Sequence, residues 1–128
     1  MKIKSLLIIN AIITIIFGIA FVIIPWQLYS LYGVESNPQL NYMGRLFGAA
    51  LIAFAVLSWY ARNSFNSDAL KAIILAFFAG DVIGFIIALV GQLENVVNGL
   101  GWLTVLIYLL LAIGFAYFQF KKQLKLSV

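Results

Sequence analysis

Four apolar runs, separated by short polar clusters, set the pattern of the chain. A spanning helix needs about 20 mainly apolar residues. Residues 5–24, 38–60, 68–91 and 101–120 each supply such a run. The connections are short, so sequential helices should be antiparallel neighbours. The predicted fold is all-α, an integral membrane four-helix up-down bundle over a single domain, residues 1–128.

The ends of these runs carry local signals. Asn37-Pro38 reads as an N-cap followed by proline at the first helical position. Ser67 does the same for the third span, and Asp68 suits the positive end of that helix dipole. Pro25 and Gly33 break the chain after the first span. Between them "WQLYSLYG" carries Trp26, Tyr29 and Tyr32, which predict a short helix at the membrane interface. Trp59, Tyr60 and Tyr117 suit one interface, and Trp26, Tyr42 and Trp102 the other.

Composition fixes the environment. The 128 residues are 65% hydrophobic and 9% charged, against about 45–50% and about 25% in soluble domains. A small globule has too much surface to hide this excess from water. With no Cys and no His, disulfides, thiolate nucleophiles, Cys/His zinc sites and His-ligated haem are excluded. No metal and no cofactor are expected.

The net charge of +4 is a topology signal. Lys2, Lys4, Arg62, Lys71, Lys121, Lys122 and Lys125 fall on one side of the predicted spans, and Arg45 alone lies within one. The positive-inside rule then places both termini in the cytoplasm of a multi-pass protein of the cell (inner) membrane. The bias is too lopsided for dual topology. The opening "MKIK" and its apolar run imitate a signal peptide, and "GIAF" offers a weak cleavage pattern. That run is long for such a peptide and is read as the first span. The basic residues form no continuous patch, so no nucleic-acid partner is expected.

Polar residues inside the runs are the candidate chemistry. The second span contains Gly44-Arg45-Leu46-Phe47-Gly48 and the third Gly80-Asp81-Val82-Ile83-Gly84. Each is a GxxxG pattern, which lets helix backbones approach closely in lipid. Each also holds the one intramembrane charge of its span. At ~1.5 Å per residue, Arg45 lies about 10 Å below the outer end and Asp81 about 15 Å. An arginine side chain covers that difference. A lone Arg or Asp at the centre of a span costs about 2.5–3.5 kcal/mol, which favours a pair.

Three readings stand. The pair only fixes packing; or Arg45 and Asp81 line a polar pocket open to the outer side; or Asp81 carries a proton. The last needs a water path, and no second acid continues the route.

Milder polar positions support packing. Asn10, Thr14 and Gly18 share one face of the first span, suited to interhelical hydrogen bonding and close approach, with a ligand contact by Asn10 as the lesser reading. Tyr108 either donates to Asp81 or fills space. Ser58 and Thr104 are expected to bond to their preceding helical turns. Glu35 and Glu94 lie in the outer loops near Asn37, Asn95 and Asn98 and read as solvated acids rather than a cation site. Gly18, Gly33 and Gly48 recur at the offset of Gly84, Gly99 and Gly114, as a faint parallel repeat of two hairpins would require.

The stretches "LYGV", "GRLFGAALIAFAVLSWYAR" and "GQLENVVNGLGW" resemble small uncharacterised prokaryotic four-span membrane proteins. Size and layout are also loosely DoxX-like. The resemblance implies fold and location and transfers no catalytic residue. Small multidrug transporters are similar in size but carry an essential acid in the first span, where this chain has none. Fluoride channels of this size are typically dual-topology.

No nucleophile–base pair, HExxH, phosphate loop or paired intramembrane carboxylates are present, so an enzyme is disfavoured. The expected function is non-enzymatic binding of a lipid, another amphiphile or a membrane partner. Its ligand-binding candidates are Arg45, Asp81, Asn10 and Tyr108, and its packing glycines are Gly44, Gly48, Gly80 and Gly84. The expected partners are membrane lipids and a second copy of the chain or another membrane protein. The alternative is a small proton- or ion-coupled transporter acting as an oligomer.

Overall fold

The computed structural model describes residues 2–64 and 67–127, with side chains through Lys121. Lys122 and Lys125, counted above on the basic side, have side chains outside this described part. The described chain is helical, in the order α1 (Ile3–Ile23), α2 (Pro25–Leu31), α3 (Pro38–Ala61), α4 (Asp68–Leu93) and α5 (Gly101–Ser127). Four of these helices are long and apolar enough to cross a membrane, and α2 is the short helix predicted from its aromatic residues. The chain divides into two compact units, Met1–Asn63 and Ser64–Val128.

Unit 1 is an antiparallel hairpin of α1 and α3 joined through α2. The inward face of α1 is Leu6, Leu7, Asn10, Ala11, Thr14 and Gly18, positions that recur on one side of a helix. The matching face of α3 is small throughout, with Gly44, Gly48, Ala55, Ser58 and Ala61. In lipid, helices associate by close packing and hydrogen bonds rather than by expelling water, so small residues belong at the seam. Ile12, Ile16 and Ile23 are exposed, as lipid-facing residues should be.

Gly18 and Gly48 mark where the two backbones come closest. A Cβ added at Gly48 would lie 2.7 Å from the Gly18 carbonyl oxygen, and one added at Gly18 would lie 3.0 Å from that of Gly48. Four residues before Gly48, Gly44 makes room for the Tyr29 ring. Tyr29 donates its hydroxyl to the Leu40 carbonyl at 3.1 Å. Phe21 stacks edge-on against both Tyr29 and Phe47, at 5.9 and 5.2 Å between centroids. Burial raises the pKa of the Tyr29 phenol above its ordinary value. Both glycines of this GxxxG are therefore used inside unit 1, against α1 and α2.

Unit 2 is the antiparallel α4–α5 hairpin. Phe77 packs on the fully buried Phe115 at 5.3 Å, and Phe78 meets Phe120 edge-on at 5.8 Å. Gly84 seats the Tyr108 ring, which any larger residue there would strike. Gly80 has open space above it.

The helix ends follow the sequence signals. The Leu40 N–H donates to Asn37 Oδ1 at 2.8 Å, and the Leu70 N–H to Ser67 Oγ at 3.2 Å. Two helices stop with a left-handed residue. Gly33 ends α2 at φ 74° and Asn95 ends α4 at φ 59°. The paired return bonds are Val34 N–H to Tyr29 O with Gly33 N–H to Ser30 O, and Val96 N–H to Gly91 O with Asn95 N–H to Gln92 O. These satisfy carbonyls that a helix end otherwise leaves bare. Gly33 and Gly99, aligned by the faint repeat, have different work: the left-handed position in unit 2 belongs to Asn95.

Candidate functional site

Asp81 stands on the same face of α4 as Gly84, one turn away, beneath which lies the reason for that glycine: the Tyr108 ring of α5. Tyr108 is close enough to feel the carboxylate charge. Asp81 is half-buried, yet its Oδ2 is enclosed and receives no hydrogen bond among the described residues. Buried polar groups are ordinarily satisfied, so an unpartnered carboxylate oxygen within a spanning helix calls for an explanation. Within unit 2 the ion pair found among the described residues is Lys71–Asp68, at 4.0 Å on the surface.

Arg45 is exposed on α3, directly after Gly44. Its side of the helix differs from the Gly44/Gly48 seam that meets α2 and α1. One turn earlier, Asn41 holds a buried Oδ1 with no partner among the described residues. Sequence reasoning passed over Asn41. Its spacing of one turn from Arg45 was the available signal.

Asn10 lies in the α1–α3 seam. It is 2% exposed and donates Nδ2 to Ser58 Oγ at 2.6 Å. Ser58 therefore bonds across helices, where its own preceding turn was expected to satisfy it. Thr14 does the reverse, donating its hydroxyl back to the Asn10 carbonyl at 2.7 Å. The Asn10–Ser58 bond ties the N-terminal half of α1 to α3, with Gly18 and Gly48 closing the other half.

Gln92 was also missed. It is 7% exposed at the end of α4, and its Nε2 donates to the Asn98 carbonyl at 3.1 Å. Its Oε1 rests against Gly101, where a Cβ would collide with it. Asn98 Oδ1 accepts from the Leu100 N–H at 3.0 Å. This loop is held by its own polar groups. Glu35 lines a shallow open depression of about 330 Å³ with Trp26, Ser30, Val34 and Ser36. No cluster of three or more acidic, His or Cys side chains able to hold a metal occurs among the described residues.

Four apolar helices of spanning length, with the charged residues Arg45 and Asp81 well inside two of them, fit a multi-pass integral membrane protein. Residues 1–121 match the family model described as Domain of unknown function (DUF8292), and the chain belongs to that family. No curated protein and no solved structure matches the chain.

Proposed function

We propose that the protein is a non-enzymatic binder of a lipid or similar amphiphile, with polar contacts at Asp81 in unit 2 and, separately, at Arg45 in unit 1. One observation carries this reading. Asp81 Oδ2 is enclosed within a membrane-spanning helix and has no hydrogen-bond partner among the described residues. Leaving such a group unsatisfied is costly in a medium that offers no water. A cationic side chain or the polar head of a bound molecule removes that cost.

Arg45 carries the opposite charge within unit 1. Counted along α3, it lies about 10 Å from the Pro38 end. Its planar fork of donors suits a phosphate or carboxylate head group in a way that lysine does not. Tyr108 adds a hydroxyl near Asp81. The basic residues at the helix ends support an orientation with both termini in the cytoplasm, which turns the Arg45 end of α3 outward. A proton- or ion-coupled transporter would use the same carboxylate, and would also require a water path past it.

Native mass spectrometry from mild detergent tests the reading. The native chain should carry an anionic lipid or fatty acid, and Arg45→Lys should fold normally but retain less of it. Equal retention by Arg45→Lys and the native chain would remove Arg45 from the site.

A further inference from the structure

The basic residues at the helix ends are not equivalent. Arg62 follows α3, and its guanidinium carbon lies 3.7 Å from the centroid of the Trp59 ring. The same side chain donates Nη1 to the Trp59 carbonyl. In the other unit, Lys121 of α5 donates Nζ to the Tyr117 hydroxyl at 2.7 Å and lies 4.8 Å from that ring. Lys71 of α4 is different, because it sits 4.0 Å from the carboxylate of Asp68.

The difference matters for a phosphate. An aromatic face attracts a cation electrostatically and leaves its formal charge in place. A carboxylate offsets the charge and competes for the same N–H donors. Arg62 is held by the Trp59 ring and through one nitrogen, so little freedom remains to be lost when a phosphate binds its other donors. Trp59 and Tyr117 are themselves 45% and 49% exposed, as side chains of the interfacial belt are. Each seat therefore places a fixed cation at head-group level.

We propose that Arg62 on Trp59 and Lys121 on Tyr117 are contact points for the phosphate of anionic phospholipids, and that Lys71 is not. These are further lipid contacts, one in each unit, and Arg62 lies at the end of α3 remote from Arg45. It selects lipid by head-group charge, and a juxtamembrane cation contributes about a fivefold preference for anionic over neutral lipid.

Trp59 gives a local readout. The full chain with Trp26→Phe and Trp102→Phe is placed in phosphatidylcholine vesicles containing brominated phosphatidylglycerol, and quenching of Trp59 is compared with that by brominated phosphatidylcholine. The expected result is severalfold stronger association of the anionic lipid. Arg62→Gln should abolish the preference, whereas Lys71→Gln should keep it. Bound phosphatidylglycerol per chain, counted by native mass spectrometry, should fall for Lys121→Gln and not for Lys71→Gln. Equal losses for Lys71→Gln and Lys121→Gln, or an Arg62→Gln chain with native preference, would overturn the proposal. So would loss of the preference to inorganic phosphate at matched ionic strength, since the site would then read free phosphate. Circular dichroism of each variant confirms that the helices are retained.

Discussion

Gly18 and Gly48 meet backbone to backbone where α1 crosses α3, so that a single methyl group on Gly48 would stand 2.7 Å from the Gly18 carbonyl oxygen. Neither neighbour can yield cheaply, because the same methyl would also lie 2.8 Å from Phe21 Cβ. Overpacking at such a contact costs about 1–3 kcal/mol. Gly48→Ala should lower the unfolding midpoint accordingly in a detergent denaturation series. Gly80→Ala meets open space and should leave the midpoint within a few tenths of a kcal/mol or raise it, alanine being the better helix former.

The turn after α4 offers a backbone test. Asn95 adopts φ 59°, a left-handed conformation that costs an ordinary L-residue roughly 1–2 kcal/mol. Asn95→Gly should preserve or improve stability, and Asn95→Val should reduce it. The same denaturation series reads both. Equal behaviour of the two variants would mean that the left-handed turn is not populated.

Much of this fold was legible in the chain. Spans, caps and the short α2 follow from runs of apolar residues, from Asn37 and Ser67, and from a proline–aromatic–glycine segment. These are local signals, each read over a few residues. The Asn10/Thr14/Gly18 face was equally visible, because helical periodicity puts those positions together. The partners were not. That Asn10 reaches Ser58 and that Gly44 lies under Tyr29 depend on tertiary register, which periodicity does not encode. Gln92 is similar: a polar residue at a helix end looks solvated until the loop folds back over it. At the candidate site, the sequence singled out Asp81 and Arg45 as charges out of place. It gave no sign that Gly84 would be occupied by Tyr108 while Gly80 stayed open.

Orientation is tested with single thiols, since the chain has no cysteine. Lys122→Cys should react with a membrane-impermeant maleimide only after permeabilisation. Glu35→Cys should react in intact cells. The opposite pattern would invert the proposed topology.

If Arg45 and Asp81 neutralise one another, their energetic effects are coupled. Removing one member of a desolvated pair typically costs about 3–5 kcal/mol, while replacing both with apolar residues is often near neutral. Arg45→Leu and Asp81→Leu should each destabilise the chain more than the double replacement does. Additive losses in a double-mutant cycle would show that the two charges act separately.

The direct measurement of the central claim is the lipid content of that double variant. Native mass spectra from the same mild detergent should show a bound anionic lipid or fatty acid on the native chain. The folded Arg45→Leu/Asp81→Leu chain should show several-fold less of it. A folded double variant carrying the same ligand at the same occupancy would contradict the account, and would leave Asp81 with a purely structural role in α4.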